Sequence, residues 1–317
     1  MNELAIYEEG TAIQAYSNAP MVEAYLASLD LKPRSKETYR KAIGYFFAYL
    51  DREGIVTATR ADVIAYKEEL TQQYSTCTAA SYLTAIRSFF NFLNAETGYP
   101  NICAGVKNPR SRRSGHLKDA LSAQQAQKVL ATMPRETVAD KRDFAIITLL
   151  TLTGLRTIEI ERANIEDIRS LDGVKVLYVW GKGRDSKDEY VKLTGLPLEA
   201  ISEYLEARED AEGKLTETAP LFASVSRRDY GQRITARSVS RIAKEALKAA
   251  GFDDSRLTAH SFRHTAVTLA LKGGASIRDA QQMARHGNVL TTERYAHDLR
   301  RLENAAEDAA QAALLAG

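Results

Sequence analysis

The segment Thr153-Gly154-Leu155-Arg156-Thr157-Ile158-Glu159 lies near the middle of this 317-residue chain. The apolar repeat before it predicts a helix over 140–152 that ends at Gly154. Glu159 follows Arg156 by one helical turn, so its carboxylate can hold the guanidinium in place. An arginine held in this way presents a planar, permanently charged fork that suits two phosphate oxygens. A salt bridge at the start of a helix is the structural alternative.

A second group of cationic and imidazole side chains lies in the run His260-Ser261-Phe262-Arg263-His264. Residues at i, i+3 and i+4 share one face of a helix, so His260, Arg263 and His264 are expected side by side. An arginine flanked by imidazoles suits a phosphate that gains negative charge in a transition state. An exposed polar helix face is the alternative interpretation.

Three more residues have settings that suggest a chemical role. Lys182 lies between two glycines in a predicted turn, where a solvated lysine is the ordinary case. His286 ends a predicted helix over 276–285, where a histidine is commonly a cap or a partner of the helix dipole. Tyr295 follows nine residues later and, as one of 15 tyrosines, indicates nothing by itself.

Taken together, these segments resemble the tyrosine recombinase (phage integrase and Xer-like) family over nearly the whole chain. The segment Thr153–Glu159 matches the family signature around its first catalytic arginine in full. The run His260–His264 matches the His-x-x-Arg motif, although Phe262 stands where leucine is commoner. The spacing from His286 to Tyr295 matches the approach to the family's tyrosine nucleophile. The resemblance implies a catalytic set of Arg156, Lys182, His260, Arg263, His286 and Tyr295, supported by Glu159 and His264.

The resemblance also implies a mechanism, in which Tyr295 attacks a DNA phosphodiester and forms a 3′-phosphotyrosyl link. A phenol has an ordinary pKa near 10 and must lose its proton as it attacks, a step that His260 is expected to assist. Lys182 is expected to protonate the departing 5′-oxygen. The link conserves bond energy, so neither a cofactor nor a metal ion is expected. The developing charge is expected to be stabilised by Arg156, Arg263 and His286.

The predicted fold class is mainly α with a small antiparallel β-sheet. In the first half, the predicted helices cover 19–30, 36–51, 60–73 and 78–96, and Thr59 with Asp62 is expected to cap the third. In the second half they cover 122–133, 140–152, 197–209, 236–249, 260–272, 276–285 and 291–315, with Ser122 and Gln125 in a capping box. Strands at 174–180 and 189–193 are expected to form a hairpin.

We expect a tail at 1–15, a helical domain at 16–108, a basic linker at 109–118 and a second domain at 119–317. The resemblance identifies these two domains as a SAM-like core-binding domain and a catalytic domain whose exchange helix covers about 300–317. No acidic residue lies between Lys107 and Lys118, so this stretch can neutralise phosphates, although a solvated linker has the same composition. The predicted DNA-contacting residues are Lys107, Arg110, Arg112, Arg113, Lys118 and Arg184.

Composition is that of an ordinary globular protein, with 44% hydrophobic residues and a net charge of only +2. No apolar run approaches the roughly 18 residues of a membrane span, and the N-terminus lacks a signal-peptide pattern, so we expect a cytoplasmic protein without a membrane partner. The two cysteines, Cys77 and Cys103, lack metal-ligand spacing and are expected to be buried, reduced thiols.

The resemblance implies a site-specific DNA recombinase that acts in DNA integration or excision, as for a mobile element, or in chromosome or plasmid dimer resolution. Its expected partners are a duplex DNA site with inverted half-sites and three further copies of the chain, in a tetramer that exchanges C-terminal helices. An accessory or regulatory protein is a further candidate partner. A type IB topoisomerase uses very similar residues and is one rival. A catalytically idle DNA-binding regulator on the same fold is the other.

Overall fold

The computed structural model describes residues 19–109, 120–180, 186–293, 295 and 306–315. Contacts within the chain divide it into two compact units, Met1–Gly115 and His116–Gly317. The described residues are mostly helical and contain one small antiparallel sheet, which confirms the predicted fold class. No helix among them combines the length and the apolar character needed to cross a membrane.

The described residues of the first unit contain four helices, close to the predicted ranges. They are α1 (Ala19–Ser28), α2 (Pro33–Arg52), α3 (Arg60–Gln73) and α4 (Thr76–Thr97). The Asp62 carboxylate accepts a hydrogen bond from the Thr59 backbone N–H at 2.7 Å, so the predicted cap on α3 is present. The last helix ends at Gly98, whose φ of 76° lies in the left-handed region that glycine adopts readily.

Aromatic side chains form much of the core of this unit. Phe46 of α2 packs edge-to-face on Tyr66 of α3 and on Phe90 of α4, so three helices meet at one ring. Cys103 is buried nearby, as expected, but Cys77 is exposed. The prediction of two buried thiols is therefore wrong for Cys77, which lies in the first turn of α4 on a side that the core does not cover.

The remaining elements of the described residues lie in the second unit. Its helices are α5 (Ala123–Thr132), α6 (Val138–Thr153), α7 (Thr157–Arg162), α8 (Gly195–Glu212), α9 (Ala236–Ala249), α10 (Ala259–Lys272), α11 (Ile277–Ala284) and α12 (Ala306–Leu315). Its strands are β1 (Ile168–Leu171), β2 (Val174–Val179) and β3 (Glu189–Lys192). Residues 291–293 and Tyr295 are also helical.

Helix α6 is the centre of the second unit. Ten of its sixteen residues are buried, on all sides of the helix, and it packs against both α8 and α10. A helix that is apolar all round must be surrounded by other elements. Both the predicted helix and its end at Gly154 are present, and that end carries the segment with Arg156.

The three strands form an antiparallel sheet in the order β1-β2-β3. Strands β2 and β3 pair with Val176 opposite Lys192 and Leu177 opposite Val191, as the predicted hairpin requires. Its connection includes residues 181–185, which lie outside the described part of the chain.

Candidate active site

The left-handed turn that ends α6 brings α10 close to this helix. Gly154 has a φ of 62°, and a Cβ atom on it would lie 3.5 Å from the Ala266 Cβ and 3.8 Å from the Arg263 Cγ. A larger residue would face backbone strain at this φ, while its Cβ would make only ordinary van der Waals contacts. The Gly154 carbonyl is thereby directed at Arg263, whose Nη1 donates a hydrogen bond to it.

Arg156 is held at two of its nitrogens. Its Nη1 donates to Glu159 Oε1 at 2.8 Å, and its Nη2 donates to the Arg285 carbonyl at 3.1 Å. Its backbone N–H donates to Glu159 Oε2 at 2.7 Å, so the carboxylate also caps α7. About a quarter of the Arg156 side chain is exposed, at 26%, so the fixed guanidinium still reaches solvent.

Arg263 lies in the interior of α10 and is 2% exposed. Its Nη2 donates to the carbonyl of Ala284, the last residue of α11, while its Nη1 donates to Gly154. Carbonyls at helix C-termini carry partial negative charge, so the ends of α6 and α11 both favour a cation here. Burial and the nearby guanidiniums of Arg156 and Arg285 lower the pKa of Arg263 to about 9, so the side chain stays charged at neutral pH.

Sequence reasoning missed a third arginine, Arg285. It follows α11 with a φ of 53°, and its side chain is only 4% exposed. Its Nη2 donates to Glu159 Oε2 at 2.7 Å, and its Nη1 donates to the Met283 carbonyl at 2.7 Å. Burial alone would raise the pKa of Glu159, but the attraction of Arg285 and the hydrogen bonds from Arg156 hold it below its usual value.

Tyr295 is 6% exposed and lies beside the two histidines of α10. Its hydroxyl oxygen is 2.5 Å from Nδ1 of His264, and the rings of His264 and His260 meet edge-to-face with centroids 4.5 Å apart. Burial raises the pKa of Tyr295 to about 12, against a smaller opposing effect of the Arg263 charge. The phenol is therefore protonated at neutral pH and needs a base to become a nucleophile.

His286 is also close to the tyrosine ring. The two rings are nearly parallel, at 8°, with centroids 6.4 Å apart, and Nδ1 of His286 shares a hydrogen bond of 2.9 Å with the Thr292 hydroxyl. Burial, and then the positive charges of Arg263 and Arg156, lower the pKa of His286 to about 4. The imidazole is therefore neutral at neutral pH and can offer a hydrogen bond but no charge.

The structure thus brings together seven of the residues singled out in the sequence: Arg156, Glu159, His260, Arg263, His264, His286 and Tyr295. One cleft is lined by Arg156, His260 and Arg263. Among the described residues, no three His, Cys, Asp or Glu side chains are grouped so as to hold a metal ion.

The remaining candidates are the basic residues of the linker and the hairpin. Lys107 is exposed at the end of the first unit. Lys187, at the far end of the hairpin connection, forms a 2.5 Å ion pair with Asp167, which is 1% exposed. The other predicted basic residues lie outside the described part of the chain: Arg110, Arg112, Arg113, Lys118, Lys182 and Arg184.

Comparison with known proteins covers both units. Residues 119–301 match the phage integrase family, and residues 22–97 match the phage integrase N-terminal SAM-like domain. The chain is 33% identical over 275 residues to tyrosine recombinase XerC of Pelobacter propionicus. This match covers 84% of this chain and 86% of the relative.

Two of the solved structures that share the fold show it bound to DNA. The XerH site-specific recombinase bound to palindromic difH substrate, in a post-cleavage complex, matches with a TM-score of 0.74 at 17% identity, covering 96% of this chain and 90% of that one. A lambda integrase tetramer bound to a Holliday junction matches with a TM-score of 0.67 at 19% identity, covering 91% and 78%. The family match over most of the second unit and the identity to XerC show that this chain belongs to the phage integrase family of tyrosine recombinases.

Proposed function

We propose that this protein is a site-specific recombinase that cuts and rejoins DNA strands through a covalent bond between Tyr295 and a 3′-phosphate. The observation that carries the proposal is the proximity of Tyr295 to two histidines, with His264 at its hydroxyl and the His286 ring nearly parallel to its own. The charge of Arg263 also acts on this phenol. A nucleophile, acceptors for its proton and a fixed cation therefore meet in one place.

In the first step, the Tyr295 oxygen attacks the scissile phosphorus. A bond forms between phosphorus and the phenolic oxygen, and the bond from phosphorus to the 5′-oxygen breaks. The phenolic proton leaves for an imidazole: His264 is in contact with the hydroxyl, and His260, which packs on His264, assists. Lys182 gives a proton to the departing 5′-oxygen. Rejoining reverses these transfers, with the 5′-hydroxyl of another strand as the attacking group.

The arginines stabilise the charge that develops on the non-bridging phosphate oxygens. Arg156 and Arg263 are held by Glu159 and by carbonyls at helix ends, so they need little rearrangement when the transition state forms. His286 contributes as a neutral donor. In the tautomer whose Nδ1 accepts a hydrogen bond from the Thr292 hydroxyl, Nε2 carries the hydrogen that is offered to the phosphate.

The same proposal includes the binding of DNA. The 16–108 domain and the 119–317 domain hold duplex DNA, and the linker with Arg110, Arg112, Arg113 and Lys118 contacts its phosphates together with Lys107 and Arg184. The matches at 22–97 and 119–301 support this division. The palindromic substrate of XerH supports a site with inverted half-sites.

We propose further that the active form is a homotetramer joined by exchanged C-terminal helices, with an accessory or regulatory protein as a further candidate partner. The tetramer of lambda integrase on a Holliday junction supports the number of subunits. In the described part of α12, Leu314 and Leu315 are 81% and 76% exposed, so this helix presents apolar surface that a second copy could cover. The biological task is DNA integration or excision, or the resolution of chromosome or plasmid dimers.

The test is to trap and sequence the DNA that becomes covalently attached to the protein in cells. We expect one short sequence with inverted repeats to be enriched, and Tyr295→Phe to abolish the enrichment. Recombination between two copies of that sequence on a plasmid is the second expected result. Relaxation of supercoils without strand exchange would favour a type IB topoisomerase activity, and DNA binding without any adduct would favour a regulator.

A further inference from the structure

We propose that Arg285 is a positioning residue for the cleavage reaction. Its guanidinium neutralises Glu159, and its backbone carbonyl fixes Arg156. This inference rests on the proposed function, because it concerns the grip of Arg156 on the scissile phosphate. The two contacts that carry it are Arg285 Nη2 to Glu159 Oε2 at 2.7 Å and Arg156 Nη2 to the Arg285 carbonyl at 3.1 Å.

The backbone at Arg285 is in a conformation that a side chain disfavours. Its φ of 53° and ψ of 49° lie in the left-handed region, where the Cβ atom crowds the following carbonyl and glycine is the usual residue at a helix end. An arginine at such a position needs compensating interactions from its side chain. Those interactions are the hydrogen bonds to Glu159 and to the Met283 carbonyl.

The charge balance around Glu159 shows what Arg285 adds. Glu159 is 1% exposed, and its two oxygens receive one guanidinium each, Arg156 at Oε1 and Arg285 at Oε2. Without Arg285, the buried carboxylate would offset the charge of Arg156 and weaken its attraction for a phosphate. With Arg285, the cluster contains the three guanidiniums of Arg156, Arg263 and Arg285 against one carboxylate.

Arg285 is placed to act through its neighbours and not on the phosphate itself. Its side chain is 4% exposed, and both terminal nitrogens already donate hydrogen bonds inside the protein. Its Nε is buried and has no hydrogen-bond partner among the described residues. The Arg156 side chain is 26% exposed, so more of its guanidinium can reach a strand bound in the cleft that both arginines line.

A double-mutant cycle tests the inference with Arg285→Gly, Glu159→Gln and the pair of changes together. Arg285→Gly removes the charge and relieves the left-handed backbone, but it leaves the buried Glu159 Oε2 and the Met283 carbonyl without their side-chain donor. A modest fall in the thermal midpoint of unfolding is therefore expected, and cleavage is measured well below that midpoint. Single-turnover cleavage is expected to slow on the order of tenfold, a common size for coupling between contacting groups, with little change in DNA affinity. Arg285→Lys keeps the charge and is expected to retain most of the rate.

The double variant decides the matter. It has lost one cation and one anion, so the net charge of the cluster equals that of the wild type, and the new amide oxygen at position 159 can still accept a hydrogen bond from Arg156. We expect its cleavage rate to recover to within about threefold of the wild type, because the two changes involve contacting groups. Arg278→Ala, which removes an exposed arginine from α11, is the matched control and is expected to show no coupling to Glu159→Gln.

The inference and the proposed function can fail separately. If the wild type forms an adduct at Tyr295 but the effects of Arg285→Gly and Glu159→Gln simply multiply, Arg285 only closes the end of α11 and the inference is overturned. A loss of folded Arg285→Gly protein at the assay temperature, large enough to account for its slower cleavage, would overturn it as well. If the wild type forms no adduct at Tyr295, the proposed function fails, and the inference fails with it.

Discussion

The hydroxyl of Tyr295 lies 2.5 Å from Nδ1 of His264, and its pKa is raised to about 12 by burial. In this arrangement His264 is the group placed to receive the proton when the phenol attacks. The sequence predicts this help from His260, whose ring packs on His264 at a centroid distance of 4.5 Å. The two imidazoles can therefore be tested as a pair.

We expect His264→Asn to keep a hydrogen-bond acceptor near the Nδ1 position but to slow cleavage by about 10², since an amide cannot take the proton. Because hydroxide can replace the missing base, the residual rate should rise with pH more steeply than in the wild type. Single-turnover cleavage of a nicked site from pH 6 to 9 measures this. His260→Asn in the same assay tests whether the second imidazole assists. If His264→Asn cleaves at the wild-type rate, His264 contributes only to packing.

Replacement by lysine should affect protein stability differently at Arg156 and at Arg263. Arg156→Lys and Arg263→Lys both keep the charge and lose the fork, so each is expected to slow cleavage by about 10²–10³ with near-normal DNA affinity. Only Arg263→Lys should also destabilise the fold, by about 1–3 kcal/mol, because it leaves the Gly154 or the Ala284 carbonyl without its buried donor.

Thermal or denaturant unfolding and single-turnover cleavage, run on the same two variants, separate these effects. Unimpaired cleavage by both variants would show that the two arginines have only a structural role. A loss of stability in Arg156→Lys as large as that in Arg263→Lys would contradict the distinction between the part-exposed and the buried guanidinium.

A substrate with a 5′-thiol leaving group distinguishes Lys182 from Lys187. A thiolate leaves without a general acid, so a 5′-bridging phosphorothiolate should restore cleavage by Lys182→Ala. Lys187 is engaged with Asp167 at 2.5 Å, and we expect Lys187→Ala to lose stability, with no rescue by the sulfur substrate. Arg184→Ala completes the comparison. Rescue of Lys187→Ala or Arg184→Ala instead of Lys182→Ala would transfer the role of general acid to that residue.

Low pH should destabilise the protein partly through His286. Its pKa falls from an ordinary value of 6.5 to about 4 in the folded state, so between these values the unfolded chain binds more protons at this site. The stability that neutral His286 contributes is complete above pH 6.5 and is lost as the pH falls towards 4. We expect the thermal midpoint of the wild type to drop more than that of His286→Gln over this range. Parallel curves for the two proteins would contradict the lowered pKa.

Much of the fold could be predicted because its signals are local. The predicted helices at 60–73 and 236–249 match α3 and α9 residue for residue, and the Ser122–Gln125 capping box is present. Helix α7 and strand β1 were missed. They are six and four residues long, too short to show a hydrophobic period, and β1 has only exposed and half-buried positions.

The site was predictable where a motif fixes both the residue and its backbone, as at Gly154 and Arg156. Arg285 could not be found in this way. Its role depends on a left-handed turn after α11 and on Glu159, which is distant in sequence, and an arginine carries no local signal for positive φ. The pairing of Tyr295 with His264 likewise arises from packing between separate helical segments. Such contacts follow from tertiary structure, which periodicity does not encode.

The C-terminal helix should govern assembly and not the chemistry of a single subunit. The apolar residues of this region recur at helical spacing, and in the described part of α12 both Leu314 and Leu315 are exposed, so the helix has apolar surface to present to a neighbouring copy. We therefore expect a chain that ends near Arg301 to bind a single half-site with normal affinity. It should lose cooperative filling of the full site and lose recombination, because active sites in neighbouring subunits are no longer coupled. Gel-shift titrations on half-site and full-site DNA, together with a plasmid recombination assay, measure both properties.

Leu314→Glu with Leu315→Glu in the full-length chain is the matched variant, since it keeps the helix and removes its apolar surface. If truncation and the double substitution both leave cooperativity and recombination intact, the helix packs only within its own subunit.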